Sequence, residues 1–326
     1  MPHGWIILDK PPGLGSTQAV AAVKRILREA GYGKVKTGHG GTLDPLAEGV
    51  LPIALGEATK LTGRLLESDK SYAFTIRFGE ETDTLDAEGQ VVARSDRRPS
   101  LAALGAICAH FTGHIEQMPP AYSALKVDGR RAYDLARSGE KVELAGRSVT
   151  IHSLDLVAQR APEEVGSAFA ARAGRPDPYD PQDPLELADP KLADEVTLLA
   201  KVSKGTYIRS LARDIAHALD TVGHVIWLRR VAAGPFDESS AISLDKLNAI
   251  GKGAPLETYL LPFEAGLDGI PALQLDPDSA QAVRQGRVVS GLPHPDGLHF
   301  ATADDVPVAL VEITGGTAKV VRGFNL

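Results

Sequence analysis

The sequence predicts a mixed α/β (α+β) protein in which an extended sheet is flanked by helices and a small β-rich domain follows. Over the first 260 residues, short apolar or alternating segments are interleaved with amphipathic helical patterns. Beyond Leu261, short apolar runs alternate with glycine and proline turns, which is typical of strands. Because 326 residues exceed the usual size of one domain, we expect two, at residues 1–260 and 261–326.

The elements are expected in the following order. A short buried strand at residues 5–8 precedes a helix over about 17–30, whose start Ser16 or Thr17 is predicted to cap and whose end Gly31 can close. Later helices are predicted at residues 101–111 and 207–219. Later strands are predicted at residues 72–78, 149–158, 195–202, 270–275, 306–313 and 317–321.

Composition excludes several classes of site. Cys108 is the only cysteine, which rules out an internal disulfide and a thiolate zinc cluster, and its apolar helical surroundings place it in the core. The nine histidines are scattered, so no metal and no cofactor is expected. With no long apolar run and no signal-like start, we expect a soluble cytoplasmic protein.

The net charge of −7 is unevenly distributed. Residues 159–195 carry four basic and nine acidic side chains and six prolines, and residues 236–326 carry six basic and twelve acidic side chains. The rest of the chain therefore has four more basic than acidic residues, which allows a polyanionic partner such as RNA. We interpret 159–195 as an acidic, proline-rich insertion that is dispensable for chemistry.

A glycine-rich loop at residues 38–49 carries the most informative carboxylate, Asp44. Its four glycines allow positive φ angles and close approach of a ligand, and Pro45 restricts Asp44 to an extended conformation. The loop is suited to presenting one side chain to a substrate. A turn in which Asp44 caps its own backbone remains the alternative.

The string GHGGTLDPLAEGVLPIALGEATK at 38–60 resembles the catalytic loop of the TruB family of tRNA pseudouridine synthases. Five further motifs follow the family's order: DKPPG at 9–13, SDKSY at 68–72, PPAYSALK at 119–126, SKGTYIR at 203–209 and HVIWLRR at 224–230. The resemblance implies a pseudouridine-synthase-type catalytic domain and places a PUA-like domain at 261–326, where the sequence similarity is weak.

The resemblance also implies catalytic roles. Asp44 corresponds to the essential nucleophile, which either bonds to C1′ of the ribose first or removes a sugar proton first, and Arg209 corresponds to an arginine that pairs with it. Tyr72 corresponds to a tyrosine that stacks on the uracil and is a proposed base for the C5 proton. From the residues alone, a solvated arginine and a surface tyrosine are the alternatives.

Other positions are implied to bind the substrate. His39 corresponds to a histidine that fills the space left by an extruded base, and Tyr207 and Leu228 to residues that line the uridine pocket. Core packing is the alternative for Leu228. Lys126, Arg130 and Arg131 lie among aromatic residues in a segment, 119–145, whose family counterpart is a mobile element that closes over the T arm of tRNA.

The expected activity is the isomerisation of a uridine in the T loop of tRNA, at position 55, with base flipping and without a guide RNA. We expect a monomer with no obligate protein partner. One alternative is an RNA-guided synthase of the dyskerin type, against which the acidic C-terminal region and the lack of a lysine-rich tail argue. The other alternative is an RNA chaperone that refolds tRNA.

Overall fold

The computed structural model describes residues 1–123, 125–127, 129–140, 142, 144–158 and 192–326, so most of the expected insertion lies outside the described residues. The chain divides into two compact units. The first unit contains residues 1–44, 50–66 and 235–326, and the second contains residues 45–49 and 67–234. The domain boundary expected between residues 260 and 261 stays a prediction.

The described helices are α1 (Ser16–Glu29), α2 (Thr62–Glu67), α3 (Leu101–Phe111), α4 (Ala132–Arg137), α5 (Ile208–Ala218), α6 (Leu244–Gly251) and α7 (Pro277–Arg284). The strands up to the insertion are β1 (Gly4–Lys10), β2 (Thr37–His39), β3 (Glu48–Leu55), β4 (Lys70–Phe78), β5 (Glu80–Thr82), β6 (Val91–Arg94), β7 (Gly113–Gln117), β8 (Lys126–Val127), β9 (Arg130–Arg131) and β10 (Arg147–Ala158). The later strands are β11 (Glu195–Val202), β12 (Gly223–Ala233), β13 (Phe236–Asp237), β14 (Ile242–Ser243), β15 (Ala272–Gln274), β16 (Val289–Ser290), β17 (Gly297–Ala303), β18 (Val306–Thr314) and β19 (Thr317–Gly323). Every helix and strand predicted from the sequence is confirmed to within a few residues at each end.

The N-terminal part of the first unit places α1 beside a small group of strands. Strands β14, β1 and β3 are neighbours in that order, β14 runs parallel to β1, and β2 pairs antiparallel with β3. Helix α1 packs against α6 and β2. Its buried side chains recur at helical spacing, as the sequence predicts: Ala19, Val20, Val23, Ile26 and Leu27.

The start of α1 differs from the expectation. The N-cap residue is Gly15, whose N–H donates to the side chain of Gln18 at 2.8 Å, so neither Ser16 nor Thr17 caps the helix. The prediction was wrong because the hydroxyl of Ser16 is used elsewhere, on the backbone of Leu43. Gly31 follows the helix with φ of 85°, which confirms its role in ending it.

The C-terminal part of the first unit contains a five-stranded sheet in the order β15-β17-β18-β19-β16. This confirms the β-rich character predicted for residues 261–326. Helix α7 covers a core that includes Leu273, Val283 and Val311. Helix α7 was not predicted from the sequence, although Asp276 caps it by accepting a hydrogen bond from the N–H of Ser279 at 2.9 Å.

The second unit is built on a mixed sheet, as predicted. Strands β12, β4, β11, β10 and β7 are adjacent in that order and pair antiparallel, whereas Glu48 and Gly49 pair parallel with Arg229 and Arg230 of β12. Helix α5 packs on β12 and β4 through its apolar face.

Helix α3 of this unit carries the single cysteine. Cys108 is buried, which confirms the core position expected for it, and burial raises the pKa of its thiol to about 11. Within the described ranges, the helices are too short or too polar to cross a membrane.

Candidate active site

The glycine-rich loop connects β2 to β3, and Asp44 belongs to the first unit. The N–H of Gly40 donates to the carbonyl of Pro52 at 2.8 Å, which closes the loop over β3. A Cβ at Gly40 would stand 2.4 Å from Cδ1 of Leu65, so only glycine fits there. Gly41 has φ of 136°, and Asp44, three residues later, is half-buried.

His39 lies at the end of β2, opposite Ile53. Its Nδ1 accepts a hydrogen bond from the N–H of Gly41 at 3.4 Å, so the imidazole lies against its own loop. This contact favours the tautomer with the proton on Nε2.

Arg209 lies in the first turn of α5 and is buried, with a side chain only 7% exposed. Its guanidinium donates to the carbonyls of Thr84 at 2.8 Å and Tyr122 at 3.0 Å. The carboxylate of Asp86, equally buried, stands 3.3 Å away. Asp86 was not predicted from the sequence, because it lies 123 positions from the arginine and in no recognised motif.

Tyr207 immediately precedes α5, and a buried glutamine fixes its backbone. The Oε1 atom of Gln117 accepts from the N–H of Tyr207 at 2.7 Å, and the Nε2 atom of Gln117 donates to the carbonyl of Tyr207 at 3.1 Å. The Arg147 guanidinium lies 5.3 Å from the centroid of the Tyr207 ring. Gln117 therefore joins the end of β7 to the start of the helix that bears Arg209.

Tyr72 and Leu228 lie on the neighbouring strands β4 and β12. Tyr72 is opposite Arg230, and Leu228 is opposite Phe74. Because residues two apart on a strand share a face, these four side chains project from the same side of the sheet. Leu228 is buried whereas Tyr72 is half-buried, so the tyrosine has more solvent-accessible surface.

Lys70 is two residues before Tyr72 on the same strand and, like Leu228, is buried. Burial, reinforced by the positive charge of Arg230, lowers the pKa of Lys70 from 10.5 to about 8. Its ammonium group donates to the carbonyl of Ser68 at 2.6 Å. A lysine with a lowered pKa therefore accompanies the candidate pocket tyrosine along β4.

The predicted RNA-binding segment contains a small hairpin formed by β8 and β9. Lys126 is directly opposite Arg131, and Val127 is opposite Arg130. All three basic side chains are exposed. Like charges placed opposite one another destabilise a hairpin unless an anion neutralises them. Within the described part of the segment, only Arg130 has a carboxylate beside it, that of Glu140 at 3.0 Å.

The structure thus brings the predicted residues together in groups. Tyr207 and Arg209 share the start of α5, Tyr72 and Leu228 share one sheet face, and the three basic residues share one hairpin, all within the second unit. Asp44 and His39 belong to the first unit. The pairing of Asp44 with Arg209 stays a prediction. Among the described residues, no group of three or more histidine, cysteine, aspartate or glutamate side chains could hold a metal ion.

Two family models match the chain. Residues 24–174 match the N-terminal domain of the TruB family of pseudouridylate synthases, and residues 209–268 match the C-terminal domain of tRNA pseudouridylate synthase B. The chain is 62% identical to tRNA pseudouridine synthase B of Novosphingobium aromaticivorans over 326 residues, covering 100% of this chain and 98% of the relative. It is 53% identical to the protein of the same name from Zymomonas mobilis, covering 99% and 96% of the two chains.

Among solved structures, the chain resembles one in a crystal structure of a Cbf5-Nop10-Gar1 complex, with a TM-score of 0.68 and 26% identity. The match covers 99% of this chain and 85% of that one. A chain in the structure of an H/ACA RNP bound to a substrate RNA has a TM-score of 0.67 at 23% identity, covering 99% and 85%, and supports the fold alone.

Proposed function

This chain belongs to the TruB family of pseudouridylate synthases, and on that premise we propose that it isomerises the uridine at position 55 in the T loop of tRNA. The chain is a tRNA pseudouridine synthase, an isomerase that converts uridine to pseudouridine. The proposal rests mainly on one observation: the chain is similar in sequence to relatives named tRNA pseudouridine synthase B over essentially their whole length, and it contains the Asp44 loop.

Asp44 is the nucleophile of the proposed reaction. A carboxylate carries its own negative charge, so it can attack C1′ of the ribose without an activating base. The bond from C1′ to N1 of uracil breaks, the base turns, and C1′ bonds to C5 as Asp44 leaves. C5 loses a proton and N1 gains one, so the reaction needs no co-reactant.

Arg209 supplies the positive charge in this proposal. An opposite charge close to a carboxylate favours its ionised form when water is excluded. The contacts of Arg209 with two carbonyls and with Asp86 support a fixed position for the guanidinium. Arginine is suited to this task because its charge does not titrate near neutral pH.

The uridine reaches Asp44 by flipping out of the T loop into a pocket. Tyr72 stacks on the uracil and accepts the C5 proton, and Tyr207 and Leu228 line the pocket. His39 fills the space that the extruded base leaves. The common face of Tyr72 and Leu228 supports a shared pocket wall.

Lys126, Arg130 and Arg131 bind the phosphates of the T arm. Their exposure on one hairpin supports contact with a polyanion, since bound phosphates would relieve the repulsion between Lys126 and Arg131. We further propose that the protein acts in the cytoplasm as a monomer, without a guide RNA or an obligate protein partner.

One reconstitution tests the proposal. Purified protein is incubated with an unmodified tRNA transcript and with a transcript in which uridine 55 is replaced by cytidine, and pseudouridine is mapped by position. We expect modification at position 55 of the first RNA alone. Activity that appears only after a guide RNA and partner proteins are added would favour the RNA-guided alternative, and modification at another site would refute the position.

A further inference from the structure

The residue immediately before Asp44 is held in place by a single side chain from α1. The hydroxyl of Ser16 accepts a hydrogen bond from the N–H of Leu43 at 2.8 Å and donates one to the carbonyl of Leu43 at 2.9 Å. Ser16 is 3% exposed and Leu43 is 4% exposed, so water does not compete for these bonds. One serine thereby satisfies both backbone groups of Leu43.

This arrangement is not a helix cap. The N-cap position belongs to Gly15, and the side chain that folds back on it is that of Gln18. A serine in the first turn of a helix usually bonds its own helix or water. The Ser16 hydroxyl instead reaches a loop 27 positions away along the chain.

The position of Asp44 follows from these two bonds. A peptide unit is planar, and the plane that contains the carbonyl of Leu43 also contains the nitrogen and Cα of Asp44. Fixing the carbonyl of Leu43 therefore fixes the Cα of Asp44. On the other side, Pro45 limits Asp44 to extended backbone conformations. The carboxylate is left with little freedom beyond its side-chain torsions.

We propose that Ser16 is a positioning residue for the reaction: it acts through Leu43 to hold Asp44 at the distance and angle from which it attacks the ribose. The inference rests on the proposed role of Asp44 as the nucleophile. Displacing a reacting group by about 1 Å costs on the order of 10²-fold in rate. Ser16 should therefore control the rate of the chemical step rather than the binding of tRNA.

The test compares Ser16→Ala and Ser16→Cys with wild type in single-turnover reactions at saturating protein, recording rate constant, amplitude and tRNA affinity. We expect Ser16→Ala to lower the rate constant by about 10- to 100-fold, with full amplitude and unchanged affinity. Ser16→Cys keeps the size and a weaker donor, and should fall between alanine and wild type. Thr17→Ala, at the exposed neighbouring position, serves as the control and should match wild type.

A purely structural role would reduce the folded fraction, which urea denaturation detects, but would leave the rate constant at saturating folded protein unchanged. That outcome, or a wild-type rate constant in Ser16→Ala, would overturn the inference. If Ser16→Ala does not fold, a wild-type rate constant in Ser16→Cys overturns it instead. Asp44→Asn, measured in parallel, separates the two proposals: an active Asp44→Asn refutes the nucleophile, whereas an inactive one beside a fully active Ser16→Ala refutes only the role of Ser16.

Discussion

At the scale of single residues, the second unit buries an ion pair between Arg209 and Asp86. The Asp86 carboxylate also accepts hydrogen bonds from the hydroxyl of Thr84 at 2.5 Å and the N–H of Glu88 at 3.1 Å. Each charge loses hydration when it is buried, and the pairing offsets that loss. Asp86 therefore stabilises the fold around the arginine that the proposed mechanism needs.

Removing this carboxylate should cost stability. Asp86→Ala leaves the Arg209 charge buried without the oxygen that stands 3.3 Å from it. We expect the free energy of unfolding, measured by urea denaturation, to fall by about 3 kcal/mol. Asp96→Ala removes an exposed carboxylate from the same unit and should change it by less than about 0.5 kcal/mol. Equal effects of the two variants would contradict a stabilising role for the pair.

Lys70 makes stability depend on pH in a defined window. Its pKa is lowered in the fold from 10.5 to about 8, so between these values the unfolded chain binds more protons than the folded one. The free energy of unfolding should therefore rise with pH across the window, by about 3 kcal/mol for this group alone. Lys70→Met should lack this rise.

The measurement is urea denaturation of wild type and Lys70→Met at several pH values from 7 to 10.5. Lys201→Met, at an exposed position on the adjacent strand β11, is the matched control and should keep the rise seen in wild type. Parallel pH curves for wild type and Lys70→Met would show that the Lys70 ammonium is not destabilised by burial.

The sequence could identify individual residues only where a motif marks them. Asp44, Tyr72 and Arg209 stand inside recognisable strings. Ser16, Gln117 and Asp86 act on residues 27, 90 and 123 positions away, so no local spacing reveals them. Their partners become apparent only when the chain is folded. The hydroxyl of Ser16 illustrates this, because a capping rule assigned it to α1 and the fold uses it on Leu43.

At the scale of elements, periodicity was sufficient for helices that bury one face. Helices α1 and α5 repeat apolar residues at helical spacing, and both were predicted. Helix α7 was missed because it has only eight residues and buries few of them. The signal that could have found it is the pair Asp276-Pro277, a capping residue followed by proline at the first helical position.

The hairpin formed by β8 and β9 leads to a prediction about tRNA binding. Replacing Lys126 and Arg131 with glutamine removes two charges that are opposite one another on this hairpin. We expect weaker tRNA binding and a slope of log Kd against log salt concentration that is smaller by about one to two. The rate at saturating tRNA should be unchanged.

Filter binding at several salt concentrations measures the tRNA affinity and the slope of log Kd against log salt concentration. Arg94→Gln, at an exposed position of β6 outside the predicted RNA-binding segment, is the control and should leave the slope unchanged. An unchanged slope in the double variant would indicate that the hairpin does not contact phosphates.

At the scale of the whole molecule, the net charge of −7 gives a misleading impression of the partner. Much of the acidic excess falls in residues 159–195 and 236–326, so its distribution decides where RNA can bind. Composition alone could not fix the domain boundary or the role of the insertion, because neither is marked by a periodic pattern of apolar residues in the sequence.

The pairing of β10 with β11 predicts that the insertion can be removed. Ala158 is opposite Thr197 in this pairing, β10 also pairs with β7, and β11 also pairs with β4, so each strand keeps a second partner without the insertion. Replacing residues 160–190 by about ten glycine and serine residues, which reach roughly 17 Å, should preserve the melting temperature and the rate of tRNA modification. Loss of activity in a folded variant would assign the insertion a part in the reaction.

The proposed attack of the Asp44 carboxylate on the ribose is best tested by a rate comparison between wild type and Asp44→Asn. Wild type and Asp44→Asn are each mixed in excess with a tRNA transcript, and pseudouridine at position 55 is followed over time. Asparagine keeps the shape of the side chain and removes its negative charge, so we predict a rate at least about 10³-fold lower with tRNA affinity retained. Pseudouridine formation by Asp44→Asn within tenfold of the wild-type rate would show that the Asp44 carboxylate is not the nucleophile.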